Sequence, residues 1–556
     1  MSSRQQQEQE NKEQENKDNQ DNKDNQDKDN KEIKQEIKQE IKQEIKKDNK
    51  EQERKKKQKK KKATFQGAKD QEKVTFSADK IKEFPVWYEG ILEISELVDK
   101  RYPIKGMPVF RPFGCFLETE IMKLIEYEWD SQDIQRVMFP TCIPKDFLEK
   151  EKEHIAGFMK ECFWVLKGGE SELEVPFALR PTSETAMYSM FALWIRSFRD
   201  LPLKVYQTCT VFRYETKNTH PLIRVREIPF NEAHTVHETE KDALENLEQA
   251  WVGYRNVIED KLGIYGLRIR RPDWDKFAGA EFTDVLDIIM PDGKVMQTVG
   301  AHYLGQKFAK PFQIQFNDRK QKSQFAYMTC YGVSSRILAA VVSIHGDNKG
   351  LIMPPLISYY HVVIIPILFG NKAKQKMIIE KAQEHAKMIK KAGYRVKVDD
   401  SQQSPGNKYY FWEMKGIPIR IEVGPKDIQK QQVVFVYRIN GEKKEVKEEE
   451  IISEIKSGCD MTQEILSKKA KEFHEARIKV CNSIEEVKEA LAFGGFAKIP
   501  FHSNGPDGKE AEAVLKEQTG AEIRGFDPKE APPANGTKCI MTQKDAVCWA
   551  YVARAY

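Results

Sequence analysis

The chain has 556 residues, enough for three or four domains, and its formal net charge of +5 is too small to indicate a particular partner. Its nine cysteines show no paired spacing, which is typical of a reducing compartment and argues against a disulfide-stabilised secreted protein. The N-terminus has no apolar core of the kind that signal peptides have. We therefore expect a cytoplasmic protein.

Residues 1–62 differ in composition from the rest of the chain. They are almost entirely Gln, Asn, Asp, Glu, Lys and Ile, with no aromatic residue. Such a segment cannot bury enough apolar surface to offset its ordering entropy, so the sequence predicts a disordered arm. Arg54–Lys62 is basic at eight of nine positions. This run fits either a solvated charged segment or contact with the phosphates of RNA or of an acidic membrane.

Residues 63–84 are expected to be a linker, and residues 85–358 mix helical and strand patterns. The predicted elements are an amphipathic helix from Trp87, a strand over 109–112, a helix over 117–129, a strand over 137–140, and two strands over 205–214 and 223–230. A polar loop over 216–221 joins the last two strands. They are therefore expected to form an antiparallel hairpin.

From residue 359 the pattern changes to strand–helix–strand, with an apolar strand over 361–368, a helix over 373–392 and a strand over 394–398. This alternation predicts a small α/β domain over 359–460, followed by a third unit over 461–556.

The run Gly350–Gly370 has no formally charged residue. Pro354, Pro355 and Pro366 would break a membrane-spanning helix. Two buried strands joined by a proline turn are expected there instead, and no membrane contact is expected from this run.

Charged residues interrupt β-type sequence at three places in the predicted hairpin and at one place beyond it. These are Arg213–Glu215, Arg224–Glu227, Glu232–His234 and Arg336. Burying an unpaired charge costs several kcal/mol, roughly, so an anion is expected opposite the arginines. Neither a Walker nor a Rossmann glycine loop is present. Any ATP must therefore be held by arginine side chains on a sheet.

These clusters resemble motifs 2 and 3 of the class II aminoacyl-tRNA synthetases, and other segments narrow the resemblance to the prolyl-tRNA synthetases. Ala178–Thr185 resembles the substrate loop, Gly332–Arg336 followed by His345–Leu351 resembles motif 3, and Phe113–Pro140 resembles motif 1. The form of Arg226–His234 is similar to the archaeal-like branch. The resemblance covers residues 85–556.

The resemblance implies an α+β fold: an antiparallel-sheet catalytic domain over 85–358, an α/β anticodon-binding domain over 359–460 and an α/β C-terminal extension over 461–556. It also implies ATP-dependent activation of L-proline and transfer of the prolyl group to tRNA(Pro). The family's homodimer interface corresponds to the motif 1 helix and the strand ending at Pro140. The arm leaves open further contacts with RNA or within a multi-synthetase complex.

The same resemblance implies the site residues. For ATP these are Arg213, Glu215, Arg224, Gln297, Ser334 and Arg336, with Mg²⁺ bridging the phosphates. Proline is expected to contact Thr182, Glu184, Arg213, Phe230, Glu232, His234 and His302. Arg213 and Arg336 are the catalytic residues, because fixed guanidinium groups stabilise the charge of the transition state. Glu413, Arg420, Lys426 and Asp427 are expected to contact the anticodon.

Two departures concern nucleotide contacts and the pocket wall. Position 228 is Ile where many class II enzymes have a stacking Phe, and position 230 is Phe where many prolyl enzymes have Trp.

Only about 95 residues separate His237 from Gly332, which leaves no room for the bacterial-type editing domain. Mischarging with alanine or cysteine is therefore expected, since a methylene is worth only about 1–3 kcal/mol.

The C-terminal extension of related enzymes binds zinc through four cysteines. Here Cys539 remains, the expected partners are replaced by His502, Ala511 and Thr542, and Cys548 is off the pattern. A structural zinc site needs four good ligands. No metal site is therefore expected, and apolar packing is expected in its place.

Two alternatives remain open from the sequence. One is a related class IIa synthetase, for example for threonine, although no zinc-binding Cys/His set is evident around the pocket. The other is a non-catalytic tRNA-binding paralogue, although such proteins typically lose one of the arginines that are present here as Arg213 and Arg336. Proline-dependent exchange of pyrophosphate into ATP distinguishes the three.

Overall fold

The computed structural model of the protein describes residues 77–149 and 161–556, so the predicted arm and the linker up to residue 76 lie outside the described residues. Among the described residues, no helix is both long enough and apolar enough to cross a bilayer.

Fourteen strands are described up to residue 334: β1 (Val98–Asp99), β2 (Val109–Phe110), β3 (Gln135–Arg136), β4 (Cys142–Pro144), β5 (Phe163–Gly168), β6 (Ser171–Leu179), β7 (Leu203–Phe212), β8 (Glu227–His237), β9 (Leu267–Arg270), β10 (Phe282–Ile289), β11 (Val295–Gly305), β12 (Gln315–Asn317), β13 (Ser323–Phe325) and β14 (Tyr327–Ser334). The helices of the same part are α1 (Phe84–Ile94), α2 (Pro112–Ser131), α3 (Lys145–Glu149), α4 (Glu184–Trp194), α5 (Glu240–Arg255), α6 (Ala309–Phe312) and α7 (Arg336–His345). A π-helical turn (Asn256–Lys261) follows α5, and short 3₁₀ helices cover Phe198–Asp200 and Pro355–Ile357.

The next part contains β15 (Val362–Pro366), α8 (Lys372–Lys391), β16 (Val396–Val398), α9 (Pro405–Met414), β17 (Ile419–Val423), α10 (Pro425–Gln429), β18 (Gln432–Tyr437), β19 (Lys443–Lys447), a 3₁₀ turn (Glu448–Glu450) and α11 (Ile451–Glu475). The C-terminal part contains β20 (Ile478–Val480), α12 (Ile484–Phe493), β21 (Phe496–Phe501), α13 (Gly508–Thr519), β22 (Glu522–Phe526) and β23 (Cys548–Ala553).

Strands of the catalytic and C-terminal parts form one sheet, in the order β20-β21-β23-β22-β9-β10-β11-β14-β8-β7-β3. Its central strands, from β9 to β7, are all antiparallel. In the C-terminal part, β22 joins β9 through one pairing, of Phe526 with Arg270, and Ala555 forms a separate bridge with Val295 of β11. The third unit expected from the sequence therefore extends the catalytic sheet.

Helix α2 packs against this sheet through one apolar stripe. Phe113, Leu117, Ile121, Ile125 and Trp129 recur every four residues and are all buried. This spacing places them on one helical face, and burial of each such side chain stabilises the fold by about 1.5–3 kcal/mol. The helix begins at Pro112, earlier than the predicted 117, because proline is well suited to the first turn.

The middle part has a five-stranded sheet in the order β16-β15-β17-β18-β19. Strands β16, β15 and β17 are parallel, whereas β18 and β19 are antiparallel to their neighbours. The predicted strand–helix–strand pattern is confirmed here, with α8 within one residue of its predicted bounds.

Three local predictions were wrong. Residues 137–140 are not a strand, because β3 ends at Arg136 and Pro140 has no backbone N–H to offer a sheet. The second hairpin strand begins at Glu227 instead of 223, since Leu222 adopts φ 64° and turns the chain. The run Gly350–Gly370 contains only one strand, β15, preceded by the 3₁₀ turn at the proline pair.

Candidate functional site

A cavity of about 390 Å³ lies on the catalytic sheet. It is lined by all twelve residues predicted to contact proline or ATP: Thr182, Glu184, Arg213, Glu215, Arg224, Phe230, Glu232, His234, Gln297, His302, Ser334 and Arg336. The fold therefore brings together residues that are as much as 154 positions apart in the sequence, from 182 to 336.

The register of three adjacent strands explains the shape of this cavity. His302 on β11 pairs with Cys330 on β14, which pairs with His234 on β8. Two residues away on each strand is a second row of paired residues, in which Gly300 on β11 pairs with Gly332 on β14, and Gly332 pairs with Glu232 on β8. Side chains alternate between faces along a strand, so the rows project into the cavity.

Glycine at position 332 keeps this row open. A Cβ atom there would lie 2.9 Å from Cζ of Phe230, which is closer than real Cβ contacts. The absence of a side chain thus leaves room beside Glu232, on a strand where a larger residue would fill the cavity.

Carboxylates and imidazoles occupy one end of the cavity. The Thr182 hydroxyl donates to Oε2 of Glu184, and the Ser183 hydroxyl donates to Oε1 of Glu232. Nε2 of His234 lies 3.3 Å from Oε2 of Glu232. Ser183 is the residue before α4, but its side chain makes no helix-capping hydrogen bond. The Thr-Ser-Glu run therefore serves the cavity rather than the helix end.

These contacts set the ionisation of the Glu232–His234 pair. Burial acts to raise the pKa of Glu232, but hydrogen bonds from His234, Ser183 and Gln207 outweigh it and lower the pKa. Burial acts to lower the pKa of His234, but Glu232 and Glu184 outweigh it and raise the pKa. This end of the cavity therefore favours positive charge.

His302 behaves differently from His234. Burial, with the positive charges of His234 and Arg213, lowers the pKa of His302 to about 3. Its Nδ1 lies 2.9 Å from the Thr283 hydroxyl, and its ring lies 4.6 Å from that of Phe277. His302 is thus a neutral wall of the cavity.

Arginines occupy the other end. Nε of Arg336 donates to the carbonyl of Ile223 at 2.8 Å, and its Nη1 donates to the carbonyl of Gln297 at 3.1 Å. Burial, followed by the charges of Arg213 and Arg224, lowers the pKa of Arg336 to about 10. Crowded guanidinium groups hydrogen-bonded to carbonyls are suited to binding an anion.

Arg224 and Glu215 form an internal ion pair, with Nη1 and Oε2 3.0 Å apart. Arg213 donates from Nε to the carbonyl of Pro181 at 3.1 Å, between the carboxylate end and the arginine end. Arg213, which is predicted to contact both ATP and proline, thus lies where both ends of the cavity are within reach of one ligand.

Sequence reasoning missed Arg271, a buried residue of the cavity wall. Its Nη2 donates to Oε1 of Gln297 at 2.9 Å, and its Nη1 donates to the carbonyl of Arg524 at 2.8 Å. Arg524, on β22, in turn donates from Nε to Oδ2 of Asp287 at 2.8 Å. The C-terminal part therefore reaches a predicted ATP contact through two buried arginines.

Cys330 was also missed. Its Sγ lies 3.5 Å from Oε1 of Glu184. Glu184, His234 and Cys330 are the one group among the described residues in which three metal-binding donors lie within 4.8 Å of one another. No such set was evident in the sequence, because its members are 50 and 96 residues apart.

The C-terminal segment that corresponds to the zinc site of related enzymes is packed by apolar contacts. Sγ of Cys539 lies 3.5 Å from Nδ1 of His502. Ala511 and Cys548 belong to the same apolar cluster as Cys539. Two potential ligands in contact fall short of the four that a structural zinc site needs.

The predicted anticodon residues lie on α9, β17 and α10. Arg420 is paired with Glu422, 3.0 Å from Nη2 to Oε1, and its guanidinium lies 4.2 Å from the ring centre of Tyr409. Oδ2 of Asp427 accepts from the backbone N–H of Gly424 at 2.9 Å, which caps α10. Lys426 is exposed.

Glu413 contacts the catalytic part, because its Oε1 lies 3.4 Å from Nζ of Lys349. Glu413, Arg420 and Asp427 therefore also have structural partners within the protein.

Comparisons with known proteins agree with this arrangement. The family model described as the tRNA synthetase class II core domain (G, H, P, S and T) matches residues 163–345, and the anticodon binding domain model matches 361–458. The model described as the prolyl-tRNA synthetase C-terminal domain matches 484–556. The proline–tRNA ligase of Methanosarcina mazei is 43% identical over 474 residues, 85% of this chain and 97% of the relative. The chain belongs to the prolyl-tRNA synthetases.

A second relative in this family, the proline–tRNA ligase of Methanococcoides burtonii, is 43% identical over 88% of this chain and 100% of the relative. The prolyl-tRNA synthetase of Giardia lamblia in complex with prolyl-adenylate has a TM-score of 0.84 and 45% identity, covering 87% of this chain and 100% of that one. The Cryptosporidium parvum enzyme complexed with halofuginone and AMPPNP has a TM-score of 0.82 and 35% identity, covering 86% and 99%. The family and the fold class expected from the sequence are confirmed.

Proposed function

We propose that this chain is an ATP-dependent proline–tRNA ligase whose reaction takes place in the cavity on the catalytic sheet. The proline carboxylate attacks the α-phosphorus of ATP, giving prolyl-adenylate and pyrophosphate. A hydroxyl at the 3′ end of tRNA(Pro) then takes the prolyl group and releases AMP. The observation that carries the proposal is one cavity with arginines at one end and buried carboxylates at the other, in a chain of this family.

The carboxylate end is proposed to bind proline. Glu184 accepts from the secondary ammonium, and Thr182 orients Glu184 through its hydroxyl. Phe230, His234 and His302 surround the ring, while Glu232 adds negative charge beneath His234. A partly buried carboxylate favours an ammonium strongly, because hydrogen bonds to charged groups contribute about 1.5–3 kcal/mol.

The arginine end is proposed to bind ATP. Arg213 contacts both the proline carboxylate and the α-phosphate, so it aligns the nucleophile with the phosphorus. Arg336 neutralises the charge that develops on the phosphates, with donors that are already fixed by Ile223 and Gln297. Glu215 accepts from the adenine amino group, with Arg224, Gln297 and Ser334 as further contacts of the nucleotide.

Magnesium fits the edge of this cavity. Exposed carboxylates of Glu161 and Asp275 line it, and Mg²⁺ is usually held by one or two carboxylates and the substrate phosphates. When bound, the ion would neutralise phosphate charge.

The C-terminal part is proposed to need no zinc, since its apolar cluster surrounds Cys539.

The anticodon domain is proposed to contact tRNA(Pro) through Glu413, Arg420, Lys426 and Asp427. Glutamate can accept from guanine N1 and N2, and arginine can donate to O6 and N7. Arg420 would exchange its contact with Glu422 for the base. The basic run at the N-terminal arm is proposed to add phosphate contacts or contacts with other synthetases.

A homodimer in the cytoplasm is also proposed. The region that the family uses for dimerisation has large apolar side chains on the surface: Met138 is 93% exposed, and Leu193 and Trp194 are exposed nearby on α4. The Trp194 ring lies 5.8 Å from that of Phe139, the residue next to Met138, so these exposed side chains lie in one region. Such a patch is typical of an interface.

Proline-dependent exchange of labelled pyrophosphate into ATP tests the proposal. Proline should support exchange, whereas threonine should not. Exchange with threonine alone would support a related class IIa enzyme, and no exchange with either would support a non-catalytic paralogue. Because residues 238–331 form α5 and strands β9–β14 of the core, without an added domain, alanyl-tRNA(Pro) should persist in the presence of the pure enzyme.

A further inference from the structure

We propose that the proposed proline pocket is also a Zn²⁺ site, formed by Glu184, His234 and Cys330, and that zinc and proline exclude each other. This inference rests on the proposed function, because Glu184 is the carboxylate proposed to bind the proline ammonium. The ligand is a soft divalent cation, and its effect on the enzyme is competitive inhibition with respect to proline.

The separation of the donors carries this proposal. In tetrahedral zinc sites, Zn–S is about 2.3 Å and Zn–O is about 2.1 Å, so sulfur and oxygen lie about 3.6 Å apart. Sγ of Cys330 and Oε1 of Glu184 are 3.5 Å apart. All three donor atoms lie within 4.8 Å of one another, and all three residues are buried. Binding of a cation would therefore require the donors to approach one another by roughly 1 Å at most, toward the spacing of a tetrahedral site.

The remaining atoms of these side chains are already held in place. Oε2 of Glu184 accepts from Thr182, which leaves Oε1 toward Cys330. Nδ1 of His234 lies 3.1 Å from the Tyr188 hydroxyl, so Nε2 is the nitrogen that would bind a cation, in exchange for its 3.3 Å contact with Oε2 of Glu232. Metal-binding histidines usually have their other ring nitrogen hydrogen-bonded in this way, and this orients the ring.

The donor set selects the metal. One thiol, one imidazole and one carboxylate favour Zn²⁺ over Mg²⁺, which prefers oxygen ligands. On binding, the Cys330 thiol releases its proton to solvent and a Zn–S bond forms, with no change in oxidation state. Three protein ligands leave a fourth position for water or for Glu232, which lies 3.3 Å from His234.

Proline cannot occupy the pocket at the same time. The zinc ion would use Glu184 as a ligand and would place positive charge where the proline ammonium is proposed to bind. Zinc binding and proline binding are therefore expected to be mutually exclusive, and raising the proline concentration should release the metal.

The test uses the full-length enzyme, freed of metal, with Co²⁺ as a spectroscopic probe of the thiolate ligand. Wild type should show a thiolate-to-cobalt charge-transfer band, and Cys330→Ser should lack it. Cys539→Ser is the matched control for the other Cys–His contact, with His502, and should keep the band. A non-reactive prolyl-adenylate analogue should suppress the band in wild type.

Zinc inhibition of proline-dependent exchange gives a second measurement. The inhibition should be relieved by proline, and Cys330→Ser should weaken it at least about tenfold, since even loss of a residue that only orients a ligand costs 10- to 100-fold, roughly. Thermal unfolding of Cys330→Ser shows whether the variant is folded.

The zinc site would be overturned by any of three results: no charge-transfer band in wild type, a band that persists in Cys330→Ser, or a wild-type band that the prolyl-adenylate analogue does not reduce. Failure of the zinc-free wild type to exchange with proline in the presence of Mg²⁺ would instead overturn the proposed function. The two failures are thus distinguishable in the same preparation.

Discussion

At the scale of single residues, we expect the charge of His234 to control what the proposed proline pocket accepts. Its pKa is raised because hydrogen bonding and attraction from Glu232 and Glu184 outweigh its burial. Below that pKa, the imidazolium competes with the proline ammonium for the same carboxylates. Above it, the carboxylates are left to the substrate.

The KM for proline should therefore fall as pH rises through the raised pKa of His234, above the ordinary imidazole range near 6.5, roughly. His302, whose pKa is lowered to about 3, stays neutral throughout. The measurement is KM in the exchange assay as a function of pH. His234→Gln should flatten the profile, and a KM that rises with pH in wild type would contradict the assignment.

Sequence reasoning found the residues whose type is unusual for their position. Glu232 and His234 stand out because charged and imidazole groups alternate along a strand, and Arg336 stands out because it is isolated in apolar sequence. Arg271 and Cys330 do not stand out, since an arginine near a strand end and a cysteine within a strand are common. Their roles depend on which strands are neighbours in the sheet, which spacing along the chain does not reveal.

At the scale of elements, helix α2 contains a carboxyl group with no compensation. Glu118 is buried, and neither of its oxygens has a hydrogen-bond partner within the described residues. Burial raises the pKa of Glu118 to about 8. Ionisation of this side chain therefore works against the fold.

Glu118→Gln should increase stability progressively with pH. The pKa of Glu118 is about 8 in the folded protein and about 4.3 in the unfolded chain. The wild-type protein therefore loses stability as pH rises from the unfolded pKa through the folded one. Above the folded pKa, the gain in the free energy of unfolding should reach a few kcal/mol, roughly. Each unit of difference between the folded and unfolded pKa contributes about 1.4 kcal/mol. Denaturant unfolding at several pH values measures it. Destabilisation by the substitution would indicate that Glu118 is paired, for example across a dimer interface.

The junction of β9 and β22 connects the C-terminal part with the arginine end of the cavity, where ATP is proposed to bind. Arg524 compensates the buried carboxylate of Asp287, and its carbonyl holds Arg271, which contacts Gln297. The sequence predicted the C-terminal unit but not its place in the sheet. The join is one residue pair between distant strands, and no local pattern encodes it.

Arg524→Ala should leave the buried charge of Asp287 only partly neutralised. It should destabilise the protein by about 3–5 kcal/mol, because removing one partner of a buried ion pair leaves the other charge without its partner. The KM for ATP should rise, whereas the KM for proline should change less. Thermal unfolding and exchange kinetics measure both effects. Arg554→Ala, an exposed arginine of the same region, is the control. Equal effects of the two substitutions would exclude the coupling.

At the scale of the whole molecule, one ion pair connects the anticodon domain with the end of α7. Nη2 of Arg438 lies 2.6 Å from Oδ1 of Asp347, and its Nη1 lies 2.9 Å from Oδ2. Nε of Arg438 donates to the carbonyl of Glu413, a proposed anticodon contact, at 2.9 Å. Helix α7 begins at Arg336. A series of contacts thus connects one proposed site with the other.

Asp347→Asn should weaken charging of tRNA(Pro) more than it weakens proline-dependent exchange, which needs no tRNA. A difference of about 1–2 kcal/mol, or 5- to 30-fold, is expected from a coupling of ordinary size. Aminoacylation and exchange by the same preparation measure it. Lys349→Ala, which removes the neighbouring surface contact to Glu413, is the control. An equal loss in both assays would place the effect within the catalytic part.

The most direct test of the whole account is proline-dependent pyrophosphate exchange by Arg336→Ala. The substitution removes a guanidinium whose hydrogen bonds go to the carbonyls of Ile223 and Gln297. The fold should therefore persist, with thermal unfolding close to wild type. Exchange should fall by about 10²–10³-fold, as when a fixed donor to a transition state is lost, while the exposed Arg319→Ala should exchange normally. Wild-type exchange by folded Arg336→Ala would contradict the claim that this arginine stabilises the reacting phosphates.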